Sequence, residues 1–391
     1  MRVHFFGPAP RIPLTPENSV EHCFASVGGN TGNMLFAHAL ERQIKFSEAT
    51  FGYSFDPRDI NENVGLVVIP AANWLQVANE QMIIAWHGIL SATKVPFLLV
   101  GLGSQASRYS ELPTLPPAIV SFLAMVSERS KSIGTRGEFS TAVMEKHGFK
   151  NTRTVGCPSL YTLCVPEFPR VKDVRSVRMS HLVLQGTRHT IFPLEYYDFD
   201  PLQRLERKLF NYGNERGLYN VLQSEIEEIP ILAKGPNHDH ADRDKVKRVL
   251  DYYGALSMAD LEGFFKRSRV FFDVDEWMAF LRPMDLVCGS RLHGCVAAVN
   301  AGTRACLLTH DTRTQEIADL SGMPNRPLRE FVELVEATNF QAAIQRVNAE
   351  SDFEPFYKKY GTNYRRYIDF FEENGVEHDL VTGVVPVVAA S

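Results

Sequence analysis

The chain has 391 residues, a length that argues for two domains rather than one or three. Hydrophobic residues make up 45% of it, ample for conventional cores. A net charge of -5 excludes a general attraction to nucleic acid or to an anionic membrane surface, so an anionic ligand has to be met by local basic residues.

Residues 2–6 read as a first strand. Gly7 to Pro16 carries Pro8, Pro10, Pro13 and Pro16 and reads as a loop. Gly28-Gly29-Asn30-Thr31-Gly32-Asn33 then opens a helix over Met34–Phe46. A glycine-rich turn at a helix start can cradle an anion or hydroxyl groups with its N–H groups; it can equally be a tight turn and nothing more. Val64–Ile69 is a buried strand, Trp74–Leu90 a helix and Val95–Val100 a strand. Pro116–Ser130 is a helix with prolines in its first turn. Ser132–Thr135 is a strand, Glu138–His147 a helix closed by Gly148, and Thr152–Val155 a strand. His4, His22, His38, His87 and His147 read as satisfied or exposed.

Residues 166–178, with Pro166 and Pro169 and mixed charge, read as a linker. A second alternating half follows: strand His181–Leu184 ending in Gln185-Gly186-Thr187-Arg188-His189, helix Leu202–Asn211, strand Glu227–Ala233, and a charged helix Ala241–Tyr253 with a solvated face. Then come helix Met258–Lys266, strand Arg269–Asp273 and helix Trp277–Leu281. Strand–helix alternation on both sides of the linker predicts two doubly wound Rossmann-like α/β domains facing a cleft, a GT-B-like arrangement. The expected division is 1–170 and 171–391. Leu328–Asn374 is helical and aromatic, and its last helix is expected to return to the first domain. The tail from Val384 reads as loose.

Cys23, Cys157, Cys164, Cys288, Cys295 and Cys306 form no Cys-x-x-Cys pair, and no histidine cluster completes a zinc pattern, so no metal is expected. They read as small core residues in a reducing compartment, Cys157 as packing at the domain junction. Met1–Gly7 is too short an apolar run for a signal peptide. No run approaches the roughly 20 apolar residues of a spanning helix. The expected location is the cytoplasm, with contact to the inner face of the membrane only through a lipid-linked substrate.

The organising stretch is Asp285-Leu286-Val287-Cys288-Gly289-Ser290-Arg291-Leu292-His293-Gly294-Cys295. Asp285–Cys288 reads as a buried strand, Gly289-Ser290 as a turn with Ser290 the N-cap, and Leu292–Ala301 as a small-residue helix closed by Gly302. Such a turn delivers its side chains to the carboxyl edge of a parallel sheet, where ligands bind. Arg291 and His293 there, on a helix N-terminus, suit a phosphorylated or carboxylated substrate with an acid–base group beside it. The alternative is that Arg291 pairs with a structural carboxylate and His293 is a core histidine.

Ser290-Arg291-Leu292-His293-Gly294, a small-residue helix, the strand Arg304–Thr309 and then His310-Asp311-Thr312-Arg313 before a helix from Thr314 to Leu320 resemble the polysaccharide pyruvyl transferase family. Its usual phrase is Ser-Arg-Leu-His with a later Tyr-Asp-Pro-Lys loop. Ser132-Ile133-Gly134-Thr135-Arg136 through Ser140 resembles the family's strand ending Val-Arg-Asp-x-x-Ser. Val155-Gly156-Cys157-Pro158-Ser159 resembles its strand-to-Cys/Asp-Pro junction, and Gly29-Asn30-Thr31-Gly32-Asn33 its Asn-x-Gly-Asp loop. The four phrases keep the family's order over roughly residues 28–322. The departures are the proline-rich Gly7–Pro16 loop, Asn33 for the usual Asp, Thr312 for Pro and Arg313 for Lys.

The resemblance implies a phosphoenolpyruvate-dependent transferase of polysaccharide biosynthesis that forms pyruvate ketals on a sugar or lipid-linked glycan acceptor and needs no cofactor. His293, Arg136 and Arg313 are the expected catalytic residues. Ser290, Arg291 and Leu292 join them at the donor, with Arg188 or His189 as further candidates beside them, and Asn30, Gly32 and Asn33 are placed at the acceptor. Guanidinium groups suit this donor because they meet carboxylate and phosphate in a planar, bidentate way. His293 suits acid–base work because its ordinary pKa lies near operating pH. For Arg136 a strand-closing salt bridge with Glu138 competes with this role. The alternative function is a glycosyltransferase of the same architecture with a nucleotide-sugar donor; the non-enzymatic alternative is a sugar-binding protein without turnover.

Overall fold

The computed structural model describes residues 1–15, 18–106, 108–187, 199–234 and 243–382. Pro16, Arg188, His189, Ala241 and the tail from Val384 lie outside them. In the first half, β1 (Arg2–Phe5), β2 (Glu48–Phe51), β3 (Leu66–Pro70) and β4 (Phe97–Val100) make a parallel sheet in the order β2-β1-β3-β4. The parallel pair β5 (Ile133–Thr135) and β6 (Thr152–Thr154) joins the β4 edge through a Leu102–Thr135 bridge. In the second half, β7 (Leu182–Gln185), β10 (Leu286–Gly289), β11 (Arg304–Thr309) and β12 (Asn325–Pro327) pair in the order β12-β11-β10-β7. A Val183–Tyr219 bridge adds β8 (Asn220–Val221) and, beyond it, β9 (Ser268–Arg269). The chain is thus α/β, with two doubly wound parallel sheets in two Rossmann-like domains that face each other in a GT-B-like cleft.

Strand order reverses between β1 and β3 in one sheet and between β7 and β10 in the other. Open α/β sheets bind ligands outside the carboxyl ends of the strands at this reversal. The turn after β10 is the Ser290–His293 stretch, so topology alone puts it at the second domain's switch point.

Residues 162–178 hold no helix or strand. An apolar cluster runs through both halves, from Val3, Leu35 and Tyr161 to Val287, Val296 and Tyr367. The helix Glu354–Glu373 closes it with an aromatic stripe, each ring burying a large apolar face. Its Phe356 and Tyr360 meet Phe168 edge-on, its Tyr367 hydroxyl donates to Gln43 at 2.8 Å, and its Glu373 accepts from Ser132 at 3.0 Å. It therefore ends against the first sheet.

Four elements differ from expectation, the first being the strand read over Arg269–Asp273, which is only the two-residue β9 because the chain leaves the sheet edge after Arg269. Glu227–Ala233 is not a strand: Glu228–Lys234 is a helix and the local strand is Asn220–Val221. Pro230 explains the difference, because its missing N–H falls in a first helical turn, where it costs nothing, whereas a strand would lose a ladder bond. Trp74 precedes its helix, which begins only at Glu80 after a short 3₁₀ turn at Val77–Asn79. The helix expected from Thr314 begins at Thr312. The helices Val20–Ser26 and Pro57–Asn63 and the edge strand β2 arise where no periodic signal stood out.

Candidate active site

β10 is buried along its whole length, and the helix Leu292–Asn300 after it is buried except at its last residue. Its N-cap is Arg291, in extended conformation with no side-chain cap, rather than Ser290. Ser290 Oγ donates instead to Glu206 at 2.9 Å and lies 3.0 Å from Thr187 Oγ1. Ser290 thus anchors the turn to the helix Phe199–Glu215, a partner that spacing along the chain could not reveal. Burial pushes Glu206 up to about 7.

Arg291 Nε donates to Gly186 O at 3.2 Å, and its terminal nitrogen forms an ion pair with buried Glu225. The carboxylate partner foreseen as the alternative for Arg291 therefore exists. Leu292 turns into the shared apolar cluster, so only its backbone can meet a donor. His293 is 8% exposed. Its ring meets Phe36 edge-on, and Nε2 is 3.8 Å from Cys157 Sγ. Cys157, expected only to pack, is therefore a neighbour of the site's histidine. Burial holds His293 well below its ordinary pKa, and Arg136, Arg313 and Arg291 push the same way. Near neutral pH this favours the neutral imidazole.

Arg136, at the end of β5, is 1% exposed. Its Nη2 donates to Ala71 O at 3.4 Å and its Nε has no partner. The carboxylates near it are Glu316 and Asp311, so the competing salt bridge with Glu138 is not the one formed. Arg313 is the second residue of the helix Thr312–Ser321, which Asp311 caps. Its Nη2 lies 3.4 Å from both Asp311 Oδ2 and His310 Nε2, and its Nε is also unpartnered. Burial pushes Asp311 up, but Arg313, His310 and Thr314 together hold it below the usual carboxylate range.

On the facing side, Gly32 comes closest to His293: a Cβ there would sit 2.9 Å from its Nδ1. Asn30 Oδ1 accepts from Gly32 N at 2.9 Å, so that side chain folds back on its own turn. Asn33 donates to Val27 O at 3.0 Å and is likewise committed within the loop. The domains also lock directly. Gln105 donates to Asp311 at 3.1 Å, Ala106 N donates to Thr312 Oγ1 at 2.9 Å, and Ser140 donates to Glu316 through both N and Oγ.

The fold therefore gathers His293, Arg136, Arg291, Arg313 and Gly32. Reading along the chain gave no site role to Cys157 and Asp311, though both stand inside motif phrases, or to Gln185 at its strand end, and Gln223, Glu206, Glu225 and Glu316 carried no local signal. Arg136 Nε, Arg313 Nε, Thr31 Oγ1, Gln185 Nε2 and Glu206 Oε1 are all buried and unpaired. Buried polar groups are nearly always satisfied, so such a group of exceptions at a switch point marks a place made for a ligand. Among the described residues no His/Cys/Asp/Glu group could hold a metal ion.

The sequence model of the family described as polysaccharide pyruvyl transferase matches residues 30–312. The chain belongs to the polysaccharide pyruvyl transferase family. The match takes in all four cleft phrases, from Asn30 to Thr312, and stops just short of Arg313. No curated protein matches the sequence. Solved structures with similar coordinates include a Listeria monocytogenes structure described as a UDP-N-acetylglucosamine 2-epimerase (12% identity, 97% of this chain and 99% of that one, TM-score 0.45). Others are S. aureus MnaA with UDP (10%, 98% and 98%, 0.42) and the Methanocaldococcus jannaschii UDP-GlcNAc 2-epimerase in complex with UDP-GlcNAc and UDP (10%, 95% and 100%, 0.40).

In this pyruvyl transferase family member the domain lock at Glu316 has a pH signature. Burial pushes Glu316 up from 4.5 to about 8. A carboxyl raised on folding contributes stability that is present below about pH 4.5 and lost as pH rises through about 8. Glu316→Gln keeps an acceptor for Ser140 without the buried charge. Its melting temperature should exceed that of the parent by roughly a few degrees at pH 8.5, with little difference at pH 5. Thermal melts at the two values check this, and an equal shift at both would rule out the titration.

Proposed function

We propose that this chain transfers the pyruvyl group of phosphoenolpyruvate to two hydroxyls of a sugar, forming a ketal and releasing phosphate. The observation that carries the reading is a neutral histidine set among three guanidinium groups, two of them with unpartnered Nε–H groups, at the sheet's switch point. A small donor bearing both carboxylate and phosphate matches that set.

The donor's negative charge offsets the field of Arg136, Arg291 and Arg313, so His293 takes a proton when the donor binds. The imidazolium delivers this proton to the methylene carbon, and the double-bond electrons form the new C–H bond. The adjacent carbon becomes electrophilic, and a sugar hydroxyl attacks it, returning its proton to the imidazole. The C–O bond to phosphate breaks, and phosphate leaves with the electron pair, stabilised by Arg136 and Arg313. The second hydroxyl adds to the same carbon and closes the ketal, its proton going to the departing phosphate. His293 Nε2 lies beside Cys157 Sγ, and Nδ1 is the nitrogen facing Gly32. The acceptor approaches from that side, as the family's sugar or glycan acceptor requires.

Phosphate release from phosphoenolpyruvate with a panel of glycosides tests the reading. Phosphoenolpyruvate should also raise the melting temperature, less so at high salt. Stabilisation by a nucleotide-sugar and not by phosphoenolpyruvate would favour a glycosyltransferase instead. Because His293 gains a proton on binding, donor affinity should fall as pH rises above neutrality. Calorimetry in buffers of different ionisation enthalpy should record uptake of up to about one proton, lost in His293→Gln.

A further inference from the structure

Two buried glutamines lie beside the Gly32 loop and the start of the His293 helix, next to the Arg291–Glu225 ion pair. Gln185 ends β7 and Gln223 follows β8, so both stand at the carboxyl edge beside the β7/β10 reversal. Gln185 is 0% and Gln223 1% exposed. Gln223 Nε2 donates to Gln185 Oε1 at 3.1 Å, and Gln185 Nε2 is left without a partner.

Glycines make room for the pair. A Cβ on Gly294, the residue after His293, would meet Gln185 Oε1 at 1.9 Å. A Cβ on Gly32 would lie 2.6 Å from Gln223 Oε1 and 2.9 Å from His293 Nδ1, so the loop backbone packs tightly against both atoms and brings them near each other. Thr31 N donates to Gln223 O at 2.9 Å and seats the loop there, while Thr31 Oγ1 stays unpartnered and buried. The two side chains offer donors and acceptors but no charge of their own, and the ionised groups beside them, Glu225 and Arg291, are paired with each other. An anion has nothing to gain there over the arginine side. A sugar hydroxyl, which donates and accepts at once, matches it.

We propose that Gln185 and Gln223 are acceptor-binding residues that hold the two hydroxyls of a neutral hexose diol against His293 Nδ1. This rests on the pyruvyl-transfer reading and extends it to the acceptor. The unpaired Gln185 Nε2–H donates to one hydroxyl oxygen. Gln223 Oε1 accepts from the other, which leaves that oxygen's lone pair turned toward the donor carbon.

The test uses the full chain, phosphoenolpyruvate and methyl hexopyranosides of the gluco, galacto and manno series, each with its monodeoxy analogues. Gln185→Ala and Gln223→Ala should raise the KM of the best glycoside roughly tenfold and leave the KM of phosphoenolpyruvate within about twofold. Removing one of the two reacting hydroxyls should cost the parent much more than it costs these variants, the coupling expected of direct partners. The proposal is overturned if folded variants leave the glycoside KM unchanged, or if the two KM values rise together. Should neither variant fold, a crystal structure of the parent with the methyl glycoside and inorganic phosphate decides. A sugar hydroxyl on Gln185 Nε2 supports the site, and a glycoside seated elsewhere refutes it. Absence of phosphate release with every glycoside would instead remove the pyruvyl-transfer reading, and this site with it.

Discussion

Replacing His293 by glutamine should lower turnover by roughly 10²–10⁴-fold, the range for a positioned general acid–base group, while the chain still folds and binds donor. Glutamine is a polar residue that can still accept from the Cys157 thiol. It removes the ring that receives a proton when the donor arrives. The three guanidinium groups stay, and in the empty site they no longer surround a group they discourage from charging. Donor affinity should therefore change little near neutral pH and lose much of its dependence on pH. Phosphate release and calorimetry on the same preparation separate the two effects. A variant that unfolds would mark His293 as a core histidine, and one with near-parental turnover would take it out of the proton-transfer step.

Elements governed by local periodicity were legible in the sequence. β11 runs over Arg304–Thr309 as its apolar pattern predicts, and the strand–turn–helix around Ser290 was visible because all its signals fall within a dozen residues. The anion-binding character of the site was legible too, because arginines ending strands in a net-acidic chain have few other uses. What pairs with those residues was not. Ser290 meets Glu206 from 84 positions away, Arg291 meets Glu225 from 66, Cys157 meets His293 from 136 and Ser140 meets Glu316 from 176. Glu206, Glu225 and Glu316 carry no periodic or motif signal of their own, and only the closure of two sheets brings each of these pairs together. The same closure explains β8 and β9. Strands of two residues pair because the sheet edge is already there, and their own sequence does not specify them.

Arg313 tests the electrostatics apart from the proton chemistry. Arg313→Ala should lose roughly 10²–10³-fold in turnover through weaker stabilisation of the departing phosphate, whereas Arg313→Lys should keep substantial activity because the charge remains. Folding should survive both changes. Asp311, the carboxylate beside Arg313, is also held by Thr314 N and Oγ1 and by Gln105, so it keeps its place when the guanidinium is removed. A second readout separates an active-site arginine from one that merely decorates a helix. Arg313 is among the charges that depress His293. Taking that charge away favours the imidazolium, so the pKa of His293 rises, and the limb of the pH–rate profile governed by His293 should move to higher pH in the alanine variant. Lysine restores the charge and should restore the limb. An arginine serving only the first turn of its helix would change neither rate nor profile, and an alanine variant with the parental rate and an unmoved limb would place Arg313 outside the active site.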